Sequence, residues 1–169
     1  MKKYELTTNT KICFGRKLFQ IKALKDFRDV KAGDLGGYIE KEENLSHEGN
    51  AWVYDEAQVF DNARIYGNAW IFGKARIFGE AEVCGNAHVS DNAWVCDKAL
   101  IFGNVGIFGN AKVFNNALIL DNARIYGDAW VYGNSRIYDN AWICGDTKIY
   151  NNILIYDDIQ ISDKIRICF

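Results

Sequence analysis

The sequence predicts an all-β fold: a single-stranded parallel β-helix with three hexapeptides per coil and a small N-terminal β-hairpin cap. Three observations carry this. From Val53 to Ile167 every sixth residue is Val or Ile, twenty in succession without an insertion. Two residues ahead of each stands a second phase, Ala from Ala51 to Ala141 except at Val105 and Ser135, then Thr147, Ile153, Ile159 and Ile165. Between these pairs recurs a corner whose first member is Gly, Asp or Asn at every step from Asp55 to Asp163.

Residues 1–46 lack the six-residue period and form a separate head, with residues 47–169 as the repeat body. In the head, Thr10-Lys11-Ile12-Cys13-Phe14 and Lys17–Ala23 flank Gly15-Arg16, the pattern of a hairpin. Its place is over the open first coil, because an unpaired terminal coil would expose an apolar end. Gly33-Asp34-Leu35-Gly36-Gly37 lacks the Lys-Ser/Thr and the helix of a phosphate loop, so the expectation is a turn leading into the first coil.

In the body, the two apolar phases lie one residue apart, the alternation of a strand with one buried face. Gly, Asp and Asn accept the left-handed backbone that a sharp corner needs. Each hexapeptide is therefore one short strand and one corner. Such a strand cannot bury its own face, but stacked coils of eighteen residues share a continuous core of Val, Ile and Ala. At roughly 4.8 Å between coils the rod is about 30 Å long. Antiparallel hairpins would require longer strands than these.

Lys and Arg number 20 against 22 Asp and Glu, so bulk charge favours neither nucleic acid nor a basic partner. The head holds a slight basic excess and the body a slight acidic one. Residues 1–5 are not followed by the apolar run of a signal peptide, and no stretch reaches the roughly 20 apolar residues of a membrane helix. A cytoplasmic protein is the expectation. Cys84, Cys96, Cys144 and Cys168 all follow an aliphatic position on different faces or distant coils, beyond the roughly 7 Å Cα separation of a disulfide. Reduced thiols follow, with no metal cluster and no cofactor.

Stretches such as Ile65-Tyr66-Gly67-Asn68-Ala69-Trp70 resemble the hexapeptide-repeat family, with an aromatic where that family often has Gly. The resemblance implies a left-handed β-helix; the period alone does not set handedness. Gly33–Glu40, Asn44-Leu45-Ser46 and Gly49-Asn50-Ala51-Trp52-Val53 are similar to the start of uncharacterised YdcK-like proteins of bacteria and phages. Many hexapeptide proteins are acyl-CoA-dependent acyltransferases, whose chemistry implies a histidine base at a subunit interface and loops that enclose the donor. This chain has two histidines and no loop in its hexapeptide run. His88 occupies an outward phase and is the one weak candidate for that base. His47 falls at the head junction, as a capping residue.

All five Trp precede an aliphatic position and thirteen Phe or Tyr follow one, so the aromatics are expected on the rod's outer surface. Residues eighteen apart stack, which sorts them into three faces. The first carries Trp52, Trp70, His88, Arg124 and Trp142 beside Tyr54 and Phe72. The second alternates cation and ring through Arg76, Trp94, Lys112, Trp130 and Lys148. The third centres on Leu100, Phe102, Leu118 and Leu120, continues to Leu154, and is expected to be a homo-oligomer interface. A rival interface is the last coil, through Ile167 and Phe169.

The function expected from these features is non-enzymatic: a binding or scaffold protein that docks a protein partner through its aromatic faces. The phage resemblance implies an inhibitor of a host defence protein as one form of this. Two alternatives stand beside it, a hexapeptide acyltransferase with an inter-subunit site, and single-stranded nucleic acid tracked along the second face.

Overall fold

A computed structural model describes residues 2–168. The repeat body is a parallel β-solenoid of about seven coils, each side of which is a stack of two-residue strands. Trp52–Val53 pairs with Trp70–Ile71, eighteen residues on, and the same step recurs on every face. Every even-numbered residue from Asn50 to Tyr138 donates its N–H to the carbonyl seventeen residues later, at 2.6–3.1 Å. The backbone donors are thus aimed one coil along, and the odd-numbered residues supply the acceptors.

The interior is the two apolar phases and little else. From Ala51 to Ile149 every residue of the Ala and Val/Ile phases is buried. Ser135 and Thr147 interrupt the apolar run, yet their hydroxyls donate back to the carbonyls of Tyr132 and Cys144 at 2.8 and 2.6 Å. Burial of these polar groups is thereby compensated.

The corners explain why the pattern never slips. Every corner-opening residue from Gly49 to Asp163 has a positive φ. From Asp55 to Asp139, where it is Asp, its carboxylate also accepts the N–H of the equivalent corner in the next coil: Asp91 from Gly109 at 2.8 Å, Asp97 from Asn115 at 3.0 Å. The second corner residues form amide ladders. One runs without a break through Asn50, Asn68, Asn86, Asn104, Asn122 and Asn140 to Asp158, at 2.8–3.1 Å per step.

The head departs from expectation in three respects. The first strand, β1, is Tyr4–Cys13, and β2 is Arg16–Ala23, so the hairpin is longer than its apolar pattern suggests. Its turn is Phe14-Gly15, one residue earlier than expected, with φ of 47° and 77°, the left-handed pair that matches strand twist in a two-residue hairpin. And Leu35-Gly36-Gly37 is not a turn but the start of strand β3, Leu35–Ile39. A Cβ on Gly36 would stand 2.5 Å from the Val53 carbonyl oxygen, and one on Gly37 2.6 Å from that of Ala57. These glycines serve close backbone approach.

Strand β3 is antiparallel to β2 and parallel to Gln58–Val59. Coil pairing therefore begins before residue 47: Ile39 underlies Val59 and Leu45 bridges to Ile65, at a spacing of twenty rather than eighteen. Asn44, buried, donates to the carbonyls of Ala63 and Asp61 at 2.8 and 3.2 Å, closing part of that edge. Lys3 is fully buried beneath the head. Its ammonium donates to the Ala51 carbonyl at 2.8 Å and lies 5.3 Å from the Phe27 ring.

Two predictions follow from this packing. Gly85→Ala places a Cβ 2.7 Å from the Gly103 nitrogen at a φ of 71°, and should cost about 1–2 kcal/mol or more in urea unfolding. Burial, with Lys25 as a lesser cause, pushes Lys3 from its ordinary 10.5 to about 8. Between those values the unfolded chain binds a proton that the folded chain has lost, so stability should rise with pH from about 8 to 10, by on the order of 1–2 kcal/mol. Thermal melts of Lys3→Met should lack that rise.

Candidate binding faces

The alternation that buries Ala and Val sends their neighbours outward, and parallel register then stacks like upon like. On the second face, Lys112 lies over Trp94 and Trp130 at 4.6 and 4.8 Å from their ring centres, and Lys148 over Trp130 at 4.6 Å. The Arg76 guanidinium is 5.4 Å from Trp94. In the neighbouring column Phe114, Tyr132 and Tyr150 stack at 4.7 and 5.2 Å, nearly coplanar. Cys96 interrupts that column, and burial pushes its thiol up to about 12, which keeps it protonated and unreactive.

These contacts change the meaning of the face. Ring surfaces that a nucleobase would need for stacking are already occupied by cations or by the next ring, and mainly their edges point outward. Charge is also segregated. No strand position of the second face from Gln58 to Arg166 carries a carboxylate, whereas the acids sit at the corners, where Asp91 and Asp97 accept backbone N–H groups. Bulk net charge conceals this. Among the described residues no ion pair neutralises Lys112 or Lys148.

The head reaches over both the first and second faces. Phe14, at the hairpin tip, approaches Phe60, Phe78 and Trp94 at 5.9–6.0 Å. With Arg16 and Asp61 these rings line an open cleft of about 420 Å³. Phe60 is buried there. On the first face Trp52, expected as an exposed partner-binding ring, is only 1% exposed: Tyr4 and Phe27 pack edge-on against it. It belongs to the core because the head folds across the flank of the first coil. His47 is held as a junction residue, stacked on Tyr4 at 4.4 Å with its Nδ1 accepting the Lys3 N–H.

Trp70 is sandwiched. The Arg28 guanidinium lies 3.7 Å from its ring centre and His88 stacks parallel to it at 5.0 Å. Tyr54 meets Trp70 edge-on and donates its hydroxyl to Asp29 at 3.1 Å. Asp29, Tyr54, Asp55, Trp70 and Phe72 line a shallow cleft of about 220 Å³. Further along, Arg124 lies over Trp142 at 5.5 Å. Arg28, Asp29 and Phe14 were not legible as site residues, since the aperiodic head gives no signal of which coil it will reach.

His88 is exposed, and desolvation beside Trp70, then the Arg28 charge, lower its pKa. It is neutral at neutral pH, as a general base must be. Its ring is held by stacking on Trp70, yet among the described residues no side chain hydrogen-bonds or ion-pairs with it, so no partner fixes its tautomer for proton transfer. No group of three or more His, Cys, Asp or Glu among the described residues is placed to hold a metal. All five cysteines are free thiols, and among the described residues no helix is long and apolar enough to cross a membrane.

On the third face Leu100 pairs in register with Leu118, and Phe102 and Leu154 are each 52% exposed. Leu118 and Leu120 are half-buried. Arg136 separates Leu118 from Leu154, so the apolar centre is confined to two rungs. Ile167 is half-buried in the last coil, and Phe169 lies outside the described residues. The Arg28–Trp70–His88 stack gives a titration test. The His88 imidazole should titrate below 6.5 by NMR, and Arg28→Ala should raise its midpoint, since the variant removes a like charge and opens the ring to water.

A family model described as the YdcK beta solenoid repeat matches residues 57–73 and 123–139. Each window spans nearly one coil and opens on an alanine of the buried phase, Ala57 and Ala123. A 39-residue stretch is 54% identical to "Uncharacterized acetyltransferase YdcK" of Escherichia coli (strain K12), covering 23% of this chain and 12% of that relative. The fold is a parallel β-solenoid, and two of its segments are similar to the YdcK beta solenoid repeat.

Proposed function

We propose that the chain is a non-enzymatic scaffold that docks a protein partner of acidic surface along its second face. The observation that supports this is the carboxylate-free column of Arg76, Lys112, Lys148 and Arg166, in which Lys112 lies between two indoles, Arg76 and Lys148 each lie over one, and among the described residues no ion pair neutralises a cation. Rings and cations already ordered in ladders lose little freedom on binding, and unpaired charge of one sign steers an oppositely charged partner. A host defence protein is one partner class in keeping with the resemblance to phage proteins. Stacking of single-stranded nucleic acid is the weaker reading, because the ring faces are taken.

One observation favours a second reading. The relative's printed name is that of an acetyltransferase, and His88 is neutral, exposed and close to the cleft beside Trp70. Against it stand the missing orienting partner and the shallowness of that cleft. Two measurements separate the readings. Affinity capture at low salt should retain on the wild-type chain a protein that high salt releases and that Lys112→Glu/Lys148→Glu does not hold; identical retention by both chains would overturn the docking face. Acetyl-CoA should leave the melting temperature unchanged, whereas a rise abolished by His88→Ala would establish the acetyltransferase reading.

A further inference from the structure

The third face differs from the other two in the order of its charges. Along the rod its first outward column reads Arg64, Glu82, Leu100, Leu118, Arg136, Leu154, each one coil above the last. A rotation of 180° about an axis along the strand direction, placed between Leu100 and Leu118, turns a second copy of this face onto the first. Leu100 then meets Leu118 of the second copy, and Glu82 meets Arg136. The acid and the base lie symmetrically about the apolar centre, one rung outside it on either side.

We infer that this face binds a second copy of the same chain, with the rods antiparallel and two Glu82–Arg136 ion pairs flanking the Leu100–Leu118 centre. Four features support this register over its neighbours. The exposed apolar side chains Leu100 and Phe102 fall at its middle, where an interface is driest. Arg136 is exposed, and among the described residues it is in no ion pair. Glu82 is held in place by the Tyr66 hydroxyl, which donates to it at 2.9 Å. Finally, no like charges meet: the corner acids Asp121 and Asp139 face the corners opened by Gly103 and Gly85, and Lys98 faces Asn116.

Neighbouring registers lose the ion pairs: centring the axis on the Leu118 rung would set Arg136 against Leu100 and Glu82 against Leu154, leaving both charges unpaired. Centring the axis on the Leu100 rung would bring Arg64 onto Arg136, a like pair. With the rods parallel, each rung faces itself with its two columns crossed, so Glu82 meets Cys84 and finds no cation. The arrangement is an isologous two-fold interface, in which one match of acid and base necessarily occurs twice.

Six rungs of four residues cover roughly 400 Å² of each copy, against about 800 Å² per partner in a standard stable interface. The dimer is accordingly a weak one, and its ion pairs set the register. This inference is independent of the docking reading, which uses the second face.

Sedimentation equilibrium over micromolar to near-millimolar concentrations tests it. Wild type should show a monomer–dimer equilibrium that weakens with added salt. Glu82→Arg alone, or Arg136→Glu alone, sets like charges opposite one another and should weaken dimerisation by about tenfold or more. The double variant Glu82→Arg/Arg136→Glu exchanges the pair and should restore it. Both side chains point outward, and circular dichroism confirms that each variant keeps the solenoid. A wild type that stays monomeric to the highest concentration would overturn the inference. So would single variants that dimerise as wild type does, or a double variant no better than the singles.

Discussion

The corner is the constraint on which the rest of this molecule depends. A coil of eighteen residues closes only if the chain turns sharply every six, and each turn opens on a residue in the left-handed region. Gly takes that conformation freely, while Asp and Asn take it with compensation from a hydrogen bond to the coil above. Because every corner turns in the same place, every strand starts in the same place, and from Trp52–Val53 to the last coil the parallel ladder keeps a constant spacing of eighteen. The buried Ala and Val/Ile phases are consequences, since a triangle of such short sides leaves room for little more.

That geometry also decides the chemistry of the surface. Corner acids are engaged by backbone N–H groups and ladder amides, which leaves the second strand face to rings and cations, and eighteen-residue register stacks them in columns. Aromatic rings that an unfolded chain would present as sticky patches instead face one another across roughly 5 Å. The surface that results is stiff and low in relief. Such a surface suits recognition by charge and shape more than enclosure of a small substrate, and the scaffold proposal rests on that. A relative carrying the acetyltransferase name keeps the catalytic alternative in view, but the match covers 12% of that protein.

The head imposes the one asymmetry. Hairpin β1–β2 extends the second face by antiparallel pairing, and its tip lays Phe14 across three coils. Arg28 reaches the first face and stacks on Trp70. Both clefts occur along this seam, where an aperiodic segment meets a periodic one and the fit is least complete. Lys3, buried under the same segment, makes the seam the pH-sensitive part of the structure.

By itself the sequence determined the coil. A strict period of six, with Gly, Asp or Asn at the corners and Ala and Val/Ile inside, admits one way to bury its apolar phases, and the stacking of residues eighteen apart follows arithmetically. It did not determine where the head lies, because Tyr4, Phe14, Phe27 and Arg28 reach coils distant in sequence and obey no period. Hence Trp52 had the spacing of an exposed ring and is buried, and Gly36 and Gly37 had the composition of a turn and form a strand. The stacking of cations on indoles along the second face was legible from the eighteen-residue spacing, whereas the Arg28 contact on Trp70 was not, because Arg28 lies in the aperiodic head. Local spacing fixes what repeats; only tertiary contact decides what covers it.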